Sequence, residues 1–596
     1  MAASALAYWM GAGLGLGTLA GAWLGLLGGW EGLAKPALPA ATALCLAMAP
    51  FCARSLRAPG VRFQAAVAAA ALIVVALCLA GVGGRDVDPA RQFEVAARAP
   101  LPQPAASAVA AAQRPDVVLI SVDTLRADAI LDDGVDTPNL DALRARGLWS
   151  QYALAPAPST LPSHVTMLTG TSVLAHGTIL NKHKIPDDVP RLPEELRKAG
   201  WLTLGLTANA VIDNRTGLGE GFDLYLNFAP HDPYYRAARE VVWKGPRCTW
   251  LGWLLPDPMD KAVLIRLVQA RITRAESGAA PGALMRDFAL AYLSDAAAQP
   301  RPYFLFLHFM DPHQPYSPDP SVAGRLSAGL ELPERYRGRP AGDPTMARAL
   351  QSHLAMGQED ARAATRVLHA VYHEELLYID HVIGEVLQQV EKTGRPTLVL
   401  VTGDHGEQFG EHNLMLHNNS VYEPLLRVPF VLAGPGVTPG KLAIPPFLED
   451  VAPTLLSLCG LPVPAAMEGR NVLIIDPGKR ARIAVGPETL AFYDGGWKLI
   501  CAYQGLGTSS AELTPMALYD VAGDPLELDN RLEREPARVQ VMRDAALGLL
   551  QAARAPEEQV MTPEQQAALE ELGYAGLFGD EDQEAPAPDP AQGPRR

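Results

Sequence analysis

The sequence predicts an α/β fold, a mostly parallel central sheet covered by helices, preceded by an α-helical transmembrane anchor. Short apolar runs recur through the middle of the chain and end in polar residues; they alternate with helical patterns such as 364–392; and the first 84 residues carry few charges.

Three apolar stretches, 7–29, 37–53 and 64–84, each approach the roughly 20 residues a helix needs to cross a bilayer. Their number argues against a cleaved signal peptide. Arg54, Arg57 and Arg62 crowd the second link, so the positive-inside rule places that link in the cytoplasm. Parity then puts everything after Gly84 outside it, which predicts a multi-pass protein of the inner membrane with a periplasmic catalytic domain. A buried helical hairpin is the alternative. Residues 85–113, rich in Ala and Pro, read as a linker, 114–555 as the catalytic domain, and 556–596 as a C-terminal helix with an acidic disordered tail. The stretch 249–256, TWLGWLLP, lies in an insertion and fits membrane contact, a pocket wall or core packing equally.

Composition narrows the partners. Asp and Glu total 65 against 50 Lys and Arg, without the basic stripe that nucleic acid requires. The partners to expect are an anionic ester and the membrane. Six cysteines without CxxC spacing imply neither a zinc knuckle nor a disulfide framework.

Within the catalytic region, DVVLISVD ends at Asp123, WLTLGLTAN at Asn209, YFLFLHF passes His308, and TLVLVTGDH ends at Asp404 and His405. In parallel sheets ligands gather beyond the carboxyl ends of the strands, where these polar residues fall. Asp123, Asp404 and His405 form a metal set, and mixed oxygen and nitrogen donors favour Zn²⁺ or Mn²⁺ over Ca²⁺. Singly, Asp123 reads equally as a helix cap and His405 as a turn histidine. Thr160, in PSTLPSH, is predicted at a helix N-terminus with Pro162 in the first turn. Unpaired backbone donors there favour an alkoxide, a bound anion and metal coordination. An isolated TLPS would also fit a plain N-cap. His308 and His313 in HFMDPHQPY, and His417 in HNNSVYEP, supply imidazoles able to bind ester oxygens or protonate a leaving group.

The runs RPDVVLISVDTLRAD, TPNLDALRARG, STLPSHVTMLTG followed by HG, GEGFD, FLHFMDPHQPY, TGDHGEQFGEH, HNNSVYEPLLRVP and LYDVAGDPLELDN resemble, in order and spacing, the motifs of the sulfatase family from about Arg114 to Asn530. TPEQQAALEELGY resembles a C-terminal feature of bacterial sulfatase-like proteins. The resemblance implies an alkaline phosphatase-like sandwich with a smaller C-terminal sheet carrying LYDVAGDP. It also implies ester hydrolysis with a divalent metal.

Several positions depart from that pattern. Thr160 stands where sulfatases carry Cys or Ser, and threonine cannot become formylglycine; Thr160 instead resembles the nucleophile of nucleotide pyrophosphatases and phosphoethanolamine transferases. His164 stands at the signature arginine, Thr124 at the second metal aspartate, His405 at the metal asparagine, and Asn209 at a lysine. Calcium therefore fits less well, and substrate contacts fall to Asn209, His308 and His164. His313 matches the family's substrate-contacting histidine, and His417 lies near a later lysine position. The expected mechanism is a two-step displacement through Thr160, with His313 or His417 assisting the leaving oxygen. Hydrolysis of phosphorus or sulfate esters leads. Headgroup transfer to an envelope lipid or glycan, and a noncatalytic binding protein, are the alternatives.

Overall fold

The computed structural model describes residues 114–131, 134–209, 211–212, 216–227, 281–474 and 482–558. Its main sheet has the order β10-β2-β9-β6-β1-β5-β3-β4, formed by β1 (Asp116–Val122), β2 (Leu148–Leu154), β3 (Leu202–Thr207), β4 (Leu224–Asn227), β5 (Tyr303–Phe309), β6 (Thr397–Gly403), β9 (Arg427–Ala433) and β10 (Gly440–Lys441). Strands β6, β1, β5, β3 and β4 run parallel to one another, while β9 is antiparallel to both β6 and β2. Between β6 and β9 a short hairpin, β7 (Gln408–Phe409) with β8 (Met415–Leu416), stands apart.

The apolar runs of the sequence are strands buried on both faces, which is why they lack polar alternation. Val118, Ile120 and Val122 of β1 face one layer with Leu305, Leu307, Val399 and Val401. Val117 and Leu119 face the other with Phe304, Phe306, Leu398 and Leu400. The first layer is covered by helices α1 (Pro138–Ala145), α4 (Pro281–Ala297), α5 (Pro344–Ala355) and α6 (Glu359–Lys392), the second by α2 (Thr160–Thr169), α3 (Leu192–Lys198) and α7 (Val451–Leu458). Along α6, Leu376, Ile379, Val382, Ile383 and Val386 recur at helical spacing and are buried; each contributes about 1.5–3 kcal/mol. Gly205 on β3 leaves room for the ring of Tyr225, which a Cβ there would meet at 2.3 Å.

At the end of the sheet remote from the strand carboxyl ends, Asp116 pairs with Arg395 at 2.6 and 2.8 Å and accepts the Tyr303 N–H at 3.0 Å. This tie holds β1, β5 and β6 level, so their opposite ends deliver side chains at one height.

A second, antiparallel sheet runs β11 (Arg482–Val485), β12 (Thr489–Asp494), β13 (Trp497–Gln504) and β14 (Glu512–Asp520). Helix α8 (Pro536–Ala552) packs Met542, Ala546 and Leu550 on one face. The other face meets the main domain through Leu154, Leu426 and Phe447. β14 contains the LYD of the closing motif, and Cys459 and Cys501 are buried free thiols.

The membrane expectation is corrected. Among the described residues no helix is long and apolar enough to cross a membrane. The longest, α6, is amphipathic, with a charged face that a bilayer would not accept. The stretches 7–29, 37–53 and 64–84 lie outside the described residues, as do the linker, 249–256 and most of the tail; the expected multi-pass placement, periplasmic location and membrane partner have no spanning helix among the described residues to support them.

Beyond the C-terminal end of α2, His176 accepts the Thr178 N–H at Nδ1 (3.0 Å) and meets Thr166 Oγ1 through Nε2 at 2.8 Å. A second ring proton would oppose the Thr178 N–H, and burial holds the pKa down to about 3. The unfolded histidine titrates near 6.5. Between those values the unfolded chain therefore holds one more proton, and His176 makes stability fall as pH drops, by about 1.4 kcal/mol per pH unit. His176→Gln keeps both hydrogen bonds without the titration. Urea unfolding between about pH 4 and 7 should show its acid limb shallower than wild type by one proton.

Candidate active site

The carboxyl ends of β1, β6, β5 and β3 converge as the parallel topology requires. Asp123 follows β1, and its N–H donates to the Phe309 carbonyl at 2.9 Å. Thr124 follows with φ +53, a strained value for a β-branched residue. It is held there by its N–H to Asp404 Oδ1 at 3.2 Å and by Tyr372 OH on its carbonyl at 2.9 Å.

Asp404 and His405 follow β6. Asp404 Oδ1 also accepts the His405 N–H at 2.8 Å. His405 Nδ1 lies 2.9 Å from the Gly406 carbonyl, so Nδ1 carries the proton and Nε2 the lone pair. That Nε2 stands 3.7 Å from Asp123 Oδ1, 3.6 Å from Asp404 Oδ2 and 3.4 Å from Thr160 Oγ1. Thr160 is the first residue of α2, and Pro162 lies in its first turn, where no intrahelical donor is lost. One first-turn donor is already engaged, since the Leu161 N–H donates to Asn181 Oδ1 at 2.9 Å.

These four groups fit a divalent cation. Asp123 Oδ1 and Asp404 Oδ2 are buried without a hydrogen-bond partner, a costly state for two carboxylates that a cation relieves. Asp123, Asp404 and His405 each offer a ligand atom within 4.8 Å of the others. A tetrahedral ion with Zn-like bonds spaces its ligands at about 3.3–3.6 Å, close to these separations. Burial pushes the Asp404 carboxyl up to about 7, with the Asp123 charge adding to it, and raises Asp123 as well. Burial likewise holds His405 down to about 4, as a neutral donor.

A second grouping, His164, His308 and Asp404, is a poorer cation site. His164 Nδ1 lies 2.8 Å from the Thr160 carbonyl oxygen, a contact only an N–H tolerates, and its Nε2 meets Ser121 Oγ at 3.0 Å. His164 thus braces the first turn of α2 against β1. His308 is buried with neither ring nitrogen hydrogen-bonded, and Nε2 sits 3.3 Å from Asp123 Oδ2. Asn209 Nδ2 donates to that same oxygen at 2.8 Å. The three residues expected at the substrate, His164, His308 and Asn209, are therefore gathered against the carboxylates and the Thr160 backbone, and all are fully buried.

Close to His405 lie the two remaining candidate histidines, His313 and His417. His313 Nδ1 meets the Gln314 carbonyl at 2.7 Å, and the His417 ring stands 4.8 Å from His313 and 4.6 Å from His405. Burial holds His313 down to about 4 and His417 to about 3. Sequence reasoning passed over Glu407. Fully buried two residues after His405, it meets His417 Nδ1 at 3.0 Å through Oε1 and accepts Tyr316 OH at 3.1 Å through Oε2. Burial pushes its carboxyl up to about 7. The available signal was its place in DHGE, where an apolar strand has just delivered two polar residues to the same edge.

The family model described as Sulfatase matches residues 115–461. An arylsulfatase from Clostridium perfringens is 27% identical over 382 residues, covering 60% of this chain and 78% of that protein. A choline-sulfatase from Rhizobium meliloti is 26% identical over 458 residues, covering 70% of this chain and 83% of that protein. Among solved structures, a phosphonate monoester hydrolase from Silicibacter pomeroyi aligns with a TM-score of 0.54 at 22% identity, covering 73% of this chain and 94% of that one.

Proposed function

Since this chain belongs to the sulfatase family of hydrolases, we propose that it cleaves anionic phosphorus esters, phosphate or phosphonate, in two displacements through Thr160. The observation that carries this reading is Thr160 Oγ1 at 3.4 Å from His405 Nε2, on the rim of the Asp123, Asp404 and His405 cluster.

Threonine has no route to the aldehyde hydrate of true sulfatases, so its oxygen must attack and later be released by a second attack at the same centre. Phosphorus accepts both displacements readily. A divalent cation, Zn²⁺ or Mn²⁺ in preference to Ca²⁺, held by Asp123, Asp404, His405 and the Thr160 hydroxyl, would lower the hydroxyl pKa and offset charge on the transferring group.

The chain's own groups do the rest. Thr160 Oγ, its proton already lost to solvent, forms a bond to phosphorus as the ester oxygen departs on the opposite side. The Glu407–His417 pair supplies its proton: Nε2 gives one up while Nδ1 takes one across the 3.0 Å contact with Glu407. His313, whose ring lies 4.8 Å from that of His417, binds a nonbridging oxygen in this scheme. Water then attacks the phosphorylated Thr160, giving one proton back to the pair as its oxygen bonds to phosphorus, and Thr160 leaves as the alkoxide, ready for the next turnover.

A rate panel of aryl sulfate, phosphate monoester, phosphate diester and phosphonate ester, each with Zn²⁺, Mn²⁺ or Ca²⁺, tests the reading. Fastest turnover of a phosphorus ester with Zn²⁺ or Mn²⁺ supports it; a sulfate preference, or turnover only with an added acceptor alcohol, overturns it. For Glu407→Gln, kcat should fall about 100-fold on an alkyl ester, whose leaving oxygen needs a proton. On a nitrophenyl ester, whose leaving group needs none, the loss should shrink to about tenfold or less. Equal losses on both would remove Glu407 from proton delivery.

A further inference from the structure

The short helix Glu423–Leu426 touches both halves of the site. Its Leu425 carbonyl accepts the Gly406 N–H at 2.8 Å, directly after His405, and its Leu426 carbonyl accepts the Ala155 N–H at 2.8 Å, on the segment leading to Thr160. Gly406 lies so near the helix that a Cβ would meet the Pro424 carbonyl oxygen at 2.0 Å. The position of this helix therefore sets the spacing between His405 and Thr160.

The small sheet grips it. Lys498 of β13 is fully buried, and its Nζ lies 2.8 Å from Glu423 Oε1 and 2.7 Å from Glu527 Oε1. Tyr493 OH donates to Glu423 Oε1 at 2.7 Å, Arg427 pairs with Glu423, and the Glu423 N–H donates to Glu527 Oε2 at 2.7 Å. Glu527 reaches in from a turn at φ +57, outside the ordinary range for its residue type. Lys498, Glu423 and Glu527 are thus buried together with the half-buried Arg427 at their edge, an arrangement whose desolvation cost leaves little net stability. The sheets already share an apolar contact through Leu154, Leu426, Phe447 and Ile500, so adhesion does not require it. What the ionic cluster adds is directional: it fixes one height for one helix.

We infer that Lys498, with Glu527, is a positioning residue for the reaction at Thr160, through which the C-terminal sheet holds the His405 loop and the Thr160 segment at their working separation. This rests on the displacement scheme above. Neither residue touches the reacting groups; both act through Glu423.

The test uses the full chain. Lys498→Met with Glu527→Gln removes one charge of each sign and leaves the Glu423–Arg427 pair intact. Cooperative unfolding, Zn²⁺ or Mn²⁺ affinity from competition with a chelating dye, and kcat and KM on an aryl phosphorus ester are compared with wild type. The expected result is a metal affinity about tenfold weaker and a kcat about 10- to 100-fold lower, with KM within about threefold. Lys498→Arg, which keeps the charge and both partners, should restore most of the metal affinity. Should the double variant not fold, Tyr493→Phe removes one bond to Glu423 and no charge, and should lower kcat about threefold. A folded variant with wild-type metal affinity and kcat, whatever its melting temperature, overturns the inference. Wild-type protein that turns over no ester strikes the displacement scheme instead, and the metal affinities still decide the role of Lys498.

Discussion

Thr160→Ala should lower kcat by at least about 10³-fold on every ester the wild type hydrolyses, with substrate binding largely kept. The variant deletes the oxygen that forms the bond to phosphorus, and water held at the same place lacks the positioning that makes the first displacement effectively intramolecular. The fold should tolerate it. Thr160 Oγ1 has its contact with His405 at 3.4 Å, while the backbone of α2 is held by the Leu161 N–H to Asn181 and by His164 on the Thr160 carbonyl, neither of which needs the side chain. Thr160→Ser keeps the hydroxyl and should retain activity within about tenfold. Activity in Thr160→Ala comparable with wild type would mean that another oxygen attacks.

The second large effect is expected at Asp404. Asn in its place retains the oxygen that accepts the Thr124 and His405 N–H groups but sets an amide where Oδ2 faces Asp123 and His405. Loss of a charged ligand exceeds the 10- to 100-fold penalty typical of an outer partner, so affinity for Zn²⁺ or Mn²⁺ should weaken by more than about 100-fold, and turnover with it. Stability should move the other way. In chelator the wild type holds two adjacent buried carboxylates, Asp123 and Asp404, both pushed upward in pKa by burial. Asp404→Asn removes one, so its metal-free melting temperature should equal or exceed that of wild type. Added metal should raise the wild-type melting temperature and leave the variant nearly unmoved. A chelator-treated variant that melts well below wild type would place Asp404 in the scaffold rather than at a cation.

What the sequence disclosed follows from burial. β1, β5 and β6 are enclosed on both faces, so each is mostly apolar with one interior polar position, Ser121, His308 or Thr402, and the first polar residues after β1 and β6, Asp123 and Asp404, mark the edge of the candidate site. The helix start at Thr160 was legible because Pro162 falls in its first turn. β2, β9 and β10 were not read as strands: LWSQYAL alternates and carries exposed positions, and RVPFVLA follows directly from a short helix without a turn signal. The antiparallel β9 was therefore missed. Glu407 and Lys498 escaped for a different reason. DHGE marks Glu407 as polar at the strand edge but does not record its partners Tyr316 and His417, and no local pattern records the convergence of Lys498 with Glu423 and Glu527. His164, His308 and Asn209 are as fully buried as Asp123, Asp404 and Thr160, a depth the sequence did not disclose, since a strand end fixes where a side chain emerges but not how far below the surface it lies.

The stereochemical course at phosphorus tests the central claim most directly. With a substrate made chiral at phosphorus by oxygen isotopes or sulfur, two successive in-line displacements, first by Thr160 and then by water, predict net retention of configuration. Net inversion would mean a single direct attack by water, and would contradict a covalent intermediate on Thr160.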